Sequence, residues 1–234
     1  MECKLINKFP VIETFLTGSI SKNVFLYGDF NVLNYLYESE LKYDTSAVKI
    51  YPDSTAVHFA LKIFSNRKEK MNVSTDILDS LLKSAVSKRQ KIFFFGDSDD
   101  VLDHLTTNLK KEHDNILING VHNGYLFKDD EVIEKINDAN TEILFVGLGA
   151  GRQEKWITNN HVKLNCNLIV SCGGWFQYLA GYKKRAPSMM IQLHLEWLYK
   201  LITEFSRVWY RYLIGIPKFY YRIITKKIIL SFDS

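Results

Sequence analysis

Four short stretches of this 234-residue chain hold the residue types from which a phosphate-handling site is built. They are "YPDS" (51–54), "FFGDS" (94–98), "VGLGAG" (146–151) and "SCGGW" (171–175). Each puts glycine or aspartate where an apolar run stops. Glycine there lets backbone N–H groups approach an anion, and a following helix offers its positive end. The ligand this implies carries phosphate, although a glycine cluster reads equally well as a tight strand-to-helix turn. The dinucleotide fingerprint G-x-G-x-x-G fails, because position 152 is Arg and the third glycine falls at 151. A Walker A lysine–threonine pair is also lacking. Asp53 could take a proton from an attacking hydroxyl, or cap the helix that follows it. Asp97, Asp99 and Asp100 read as cap and first-turn charges. His122, in "GVHNGYL", could orient a ligand or make a structural hydrogen bond. No His/Cys/Asp cluster has metal-ligand spacing, so no metal is expected.

Such strand ends need a parallel sheet to bring them to one edge, and the chain has the pattern for one. Apolar runs at 23–28, 47–54, 91–98, 115–126, 141–149 and 167–174 predict strands. Segments 30–41, 55–64, 76–88, 99–113, 129–140 and 153–162 have helical spacing. Continuous apolar strands alternating with helices predict an α/β fold, a Rossmann-like parallel sheet with helices on both faces. Ligands in such sheets bind outside the C-terminal strand ends.

Bulk composition sets the frame. Hydrophobic residues make up 47% and charged residues 24%, which is globular. A net charge of +4 is too weak to argue for nucleic acid. Cys3, Cys166 and Cys172 read as buried thiols in a reducing compartment. The N-terminus lacks a signal-peptide pattern, and no apolar run reaches the roughly 18 residues of a membrane span. Near residue 187 the composition turns aromatic and basic. Arg207, Arg211, Lys218 and Arg222 recur at near-helical spacing among Trp and Tyr, which describes a helix lying in a lipid headgroup layer. An amphipathic helix docked on its own domain or on another subunit fits the same pattern, and single-stranded nucleic acid is a third reading.

"VGLGAGRQEKW" (146–156), taken with "GGWFQYLAGYKKRAPSMMIQLHLEWLYKL" (173–201), resembles the bacterial WecG/TagA/CpsF glycosyltransferase family, family 26 of the glycosyltransferases. The family pattern is approximately VGLGxPKQE, then G-G-x-F-D-x-x-A-G, K-R-A-P and G-L-E-W-L-Y-R-L. Upstream, "FFFGDSDDVLDHLTTNLKKEHDNILINGVHNGYLF" is similar to the family's strand-glycine segment and G-x-H-x-G-Y; downstream, "EFSRVWYRYLIGIPKF" is similar to its E-P-x-R-x-x-R-Y tail. The similarity by motif runs from about Lys91 to Phe219.

The resemblance implies an inverting transferase of N-acetylmannosamine, its uronic acid or a related sugar. The donor is a UDP-sugar and the acceptor a polyprenyl-diphosphate-linked sugar, with no cofactor and no metal. It implies a cytoplasmic protein peripheral on the inner face of the plasma membrane, touching an anionic membrane surface and binding no nucleic acid; a homo-oligomer is left open. Residues 1–187 are expected as the Rossmann-like domain and 188–234 as a membrane-associating helical appendage. Asp53 matches the family's proposed base. Gly96, His122, Gly124, Tyr125, Gly147, Gly149, Gly151, Gln153, Glu154, Gly173 and Gly174 fall where the family holds its nucleotide-sugar. Lys184, Arg185, Arg207, Arg211, Lys218 and Arg222 are expected to meet the acceptor diphosphate or the membrane. The chain departs from the pattern in several places. Ser54 replaces the glycine of P-D-G, Leu26 and Gly28 fall on T-x-N, and Gly151 and Arg152 replace Pro and Lys. Gln177 replaces the aspartate after Phe, and Lys70 stands for an arginine. These departures put donor identity in question and leave a non-catalytic, nucleotide- or partner-binding subunit as the alternative.

Overall fold

The structure is a computed structural model that describes residues 1–5, 22–41, 43, 47–64 and 74–232; Lys70 lies outside them. Eight strands form one sheet: β1 (Glu2–Leu5), β2 (Asn23–Gly28), β3 (Val48–Pro52), β4 (Lys91–Gly96), β5 (Leu117–His122), β6 (Ile143–Gly147), β7 (Leu168–Ser171) and β8 (Ile229–Phe232). Their order is β5-β4-β6-β7-β2-β3-β1-β8, and every pairing is parallel. All C-terminal strand ends therefore lie along one edge, as the sequence predicts.

Side chains alternate between two buried layers, which is why the strands read as unbroken apolar runs. One layer holds Val24, Leu26, Phe95, Val146 and Ile169. It is covered by α1 (Phe30–Glu38), α2 (Thr55–Phe64), α5 (Asp129–Asp138) and α6 (Arg152–Asn160). The other holds Phe25, Tyr51, Phe94, Phe145 and Val170. It is covered by α3 (Ser74–Ser87), α4 (Asp99–Glu112) and α7 (Trp175–Leu179). Caps set the helix starts: Ser98 accepts from Val101 N–H at 3.4 Å, and Asp29 accepts from Val32 N–H at 2.7 Å. In α4, Asp99 and Asp100 sit in the first turn and Lys110 and Lys111 in the last, matching the helix dipole.

Beyond residue 187 the chain forms α8 (Ser188–Gln192), α9 (Glu196–Thr203), α10 (Phe205–Tyr210), a π-helical turn (Arg211–Gly215) and α11 (Ile216–Ile224). It then returns to the sheet as β8, beside β1. Val208, Tyr212, Phe219, Ile223 and Ile228 join the same buried layer as β2 and β3. Two strands, β1 and β8, are not legible in the sequence: each is four residues long, without the run of strand-helix alternation that frames the equally short β7.

Candidate active site

After β2 the chain leaves to α1 on one face of the sheet, whereas after the neighbouring β7 it leaves to α7 on the other. Divergence of this kind opens a crevice at the strand ends. Beside it, a cavity of about 400 Å³ is floored by the ends of β2 and β3 and roofed by the C-terminal segment. Asp29, Asp53 and Ser54 line it from below; Ile191, His194, Trp197, Lys200 and Tyr212 line it from above.

Asp53 follows β3, and its N–H donates to the Gly28 carbonyl at 3.1 Å. Helix α2 starts at Thr55, so Ser54 holds the position before the helix, and the Ser54 carbonyl accepts from His58 N–H at 3.1 Å. Asp53 thus stands two residues before the first residue of α2. Ser54 has φ +70°, the left-handed conformation for which glycine is suited, so the turn keeps its glycine-type shape without the glycine. The Ser54 hydroxyl is buried and has no hydrogen-bond partner among the described residues.

Asp29 was not legible as a site residue. It caps α1 and also lines the cavity. Burial raises its pKa to about 6, against the stabilising Val32 N–H and the Arg211 guanidinium. Arg211 is half-buried and interacts electrostatically with Asp29 and Tyr27, and its Nε is buried without a partner among the described residues. Leu26 is fully buried in the core. A Cβ on Gly28 would lie 2.6 Å from Ile50. Both departures at this strand end are thus packing positions in this chain.

The glycine-rich wall is built differently. Gly151 N–H donates to Glu154 Oε2 at 2.5 Å, Gln153 Nε2 donates to Glu154 Oε1 at 2.7 Å, and Gly173 N–H donates to Gln153 Oε1 at 3.0 Å. Gln153 and Glu154 are fully buried. They tie the turn after β6 to the turn after β7, and their side-chain polar atoms bond inside the protein. Burial raises the Glu154 pKa to about 7 despite the donors from Gln153 and Gly151. Gly149 and Gly151 have φ +83° and +89°, which explains glycine at both. Gly174 begins α7 with open space beside its Cα.

Gly96, Gly124 and Gly147 answer to packing. A Cβ on Gly96 would sit 2.4 Å from the Gly147 carbonyl, one on Gly124 2.7 Å from Gly96 Cα, and one on Gly147 2.8 Å from the Phe176 ring. Arg152 clamps this corner by donating to the Gly124 carbonyl at 2.7 Å. Gln177 Nε2 donates to Asp97 Oδ2 at 3.0 Å; a carboxylate at 177 would instead face a second carboxylate. His122 and the exposed Tyr125 stand at β5, the far end of the strand order. Five strand spacings separate β5 from β3, roughly 24 Å at ~4.8 Å each. His122 and Tyr125 are therefore not brought together with Asp53.

The C-terminal cations also depart from expectation. Arg222 is 7% exposed and donates to the Asn34 carbonyl at 3.2 Å, Asn34 Oδ1 at 2.8 Å and Glu38 Oε1 at 2.8 Å. Lys218 pairs with Glu38 at 2.7 Å. Arg207 Nε donates to Glu204 at 2.6 Å, and Arg185 pairs with Asp76 at 2.7 Å. Arg211 and Arg222 turn inward, while Trp209, Tyr210, Leu213 and Ile214 are exposed. Arg222 thus serves the fold and Arg211 turns toward Asp29 and Tyr27, while Arg207 and Lys218 stay about half exposed in ion pairs with Glu204 and Glu38. Lys184 is exposed and forms no ion pair among the described residues. Among the described residues no helix is long and apolar enough to cross a membrane, and no three His, Cys, Asp or Glu converge as metal ligands.

A sequence model of the glycosyl transferase WecG/TagA/CpsF family matches residues 37–232. The match starts upstream of the motif resemblance and takes in Asp53, but leaves out Asp29. A Bacillus spizizenii protein named N-acetylglucosaminyldiphosphoundecaprenol N-acetyl-beta-D-mannosaminyltransferase is 30% identical over 94% of this chain and 90% of its own length. Its namesake in Bacillus subtilis strain 168 is 35% identical over 73% of this chain and 66% of its own length. A Staphylococcus aureus namesake is 28% identical over 92% and 85%.

Proposed function

Since the chain belongs to the WecG/TagA/CpsF glycosyltransferase family, we propose that it moves an N-acetylmannosaminyl group, or a close relative, from a UDP donor to a polyprenyl-diphosphate-linked N-acetylglucosamine. The names of its relatives support the sugar and the acceptor. The observation that carries the reading is Asp53 on the floor of a cavity at the strand ends, under a roof supplied by the C-terminal segment. An acceptor hydroxyl oxygen attacks the anomeric carbon while Asp53 takes its proton. The bond from that carbon to the diphosphate oxygen breaks, UDP leaves, and the anomeric configuration inverts. Arg211 lies beside the same floor and supplies positive charge for the leaving diphosphate. In this reading no cofactor takes part, and the Asp53 carboxylate and fixed donors carry the reaction.

The exposed Trp209, Tyr210, Leu213 and Ile214 are read as a membrane-facing patch. It would hold the protein on the inner face of the plasma membrane, where a lipid-linked acceptor is within reach. The test is UDP release by the full chain. Release is expected only with UDP-N-acetylmannosamine and a short-chain lipid-linked N-acetylglucosamine together, and unchanged by EDTA. Binding of UDP with no turnover across a broad donor panel would overturn the transferase reading in favour of a non-catalytic subunit.

A further inference from the structure

A second cavity, of about 290 Å³, lies between the 178–186 loop and α9, separate from the Asp53 floor. Its lining includes Tyr178, Lys183, Lys184, Tyr199, Lys200 and Glu204. Lys183 shares Glu204 with Arg207, at 3.4 Å and 2.6 Å, and Lys200 holds Glu196 at 3.0 Å. Lys184 has no carboxylate among the described residues. The cations in and around this cavity therefore outnumber the carboxylates that answer them. Burial is the main cause that lowers the Lys183 pKa, with the charge of Arg207 adding to it and Glu204 opposing it, while against burial Glu196 raises that of Lys200. An anion placed here would relieve that repulsion, and phenol hydroxyls on the lining could donate to it.

The surroundings select the kind of anion. Ile202 and Phe205, 69% and 56% exposed, flank lining residues Thr203 and Glu204 on the outside. A charged cavity beside exposed aliphatic and aromatic side chains suits an amphiphile whose phosphate enters and whose tail does not. We propose that this lysine–tyrosine cavity binds the phosphate of an anionic membrane lipid, distinct from the substrate cavity, and shares only the Lys200 wall with it. The proposal rests on reading the outer apolar face as membrane-facing. It adds a headgroup-selective contact to what would otherwise be unselective apolar adhesion.

Vesicle flotation of the full chain tests this, with phosphatidylglycerol-containing and pure phosphatidylcholine vesicles. Lys184→Gln should weaken binding to the anionic vesicles about fivefold, the loss expected for one lysine at a charged surface. Adding Lys183→Gln should deepen the loss, and Tyr178→Phe should weaken binding without changing its salt dependence. Lys226→Gln removes the same charge outside the cavity and should change binding less than twofold. Equal losses from Lys184→Gln and Lys226→Gln would overturn the site in favour of diffuse surface charge. Inorganic phosphate, at matched ionic strength, should not release the protein; release would make free phosphate the occupant and overturn the lipid assignment. Failure of the membrane reading itself would look different, because the wild-type chain would then float with no vesicle of either kind. Thermal melting of each variant checks that it is folded.

Discussion

The two walls of the crevice use their polar atoms in opposite ways. On the β6–β7 side, Gly151, Gln153, Glu154 and Gly173 form a closed chain of hydrogen bonds inside the protein. On the β2–β3 side, Asp29, Asp53 and Ser54 face a cavity, and the Ser54 hydroxyl and Arg211 Nε have no partner among the described residues. The first wall holds the most recognisable sequence motif, and the second holds Asp53, the base of the proposed reaction. The glycine-rich motif therefore marks a part whose polar atoms satisfy one another, whereas the cavity side keeps a buried hydroxyl and a buried guanidinium nitrogen without partners among the described residues.

Breaking each wall should have different consequences. The largest effect expected is on rate: Asp53→Asn should lower kcat by about 10²- to 10⁴-fold, the usual worth of a general base, with the melting curve unchanged. On the other wall, Glu154→Ala leaves the Gly151 N–H and Gln153 amide unpaired inside the protein. It should cost about 3 kcal/mol of stability, read by denaturant unfolding.

A pH effect separates the walls further. Asp29 and Glu154 have folded pKa values raised to about 6 and about 7, from 3.8 and 4.5. The native state holds their protons longer than the unfolded chain does. Their contribution to stability is therefore full below about pH 4 and is lost as pH rises through about 6 to 7. Glu154→Gln should flatten the upper part of that fall. Asp29→Asn should flatten the lower part and also remove an inflection near pH 6 from the rate profile, because only Asp29 lines the substrate cavity. The smallest effect expected is at Ser54: Ser54→Gly should stabilise the protein by on the order of 1 kcal/mol by relieving its left-handed backbone. A destabilised Ser54→Gly would mean that the buried hydroxyl contributes more than the strain costs.

The sheet and its helices were legible because strands buried on both faces and amphipathic helices leave strong periods. The run "KIFFFG" became β4, and "DDVLDHLTTNLKKE" became α4. Strands β1 and β8, at the two ends of the chain and paired with each other, were not: no helix-strand alternation surrounds them, and each is four residues long. Within the site, the place of Asp53 after an apolar run left it open as a base or a cap, and only the family resemblance pointed to the base. Asp29, between one apolar run and the helix after it, carried no signal beyond that position, and it caps α1. The direction of the C-terminal cations could not be read from spacing alone. Arg222 turns inward because Asn34 and Glu38 wait on α1, and a one-dimensional pattern does not record that neighbour.

The most direct test of the division between a reacting floor and a holding wall sets Asp53→Asn beside Glu154→Gln. Both are measured for UDP affinity and for UDP release per folded molecule with donor and lipid-linked acceptor. The floor-and-wall account predicts that Asp53→Asn loses at least about 100-fold in turnover with UDP affinity retained, and that Glu154→Gln keeps its turnover once its lower stability is allowed for. Full turnover in Asp53→Asn, or a comparable catalytic loss in folded Glu154→Gln, would contradict it.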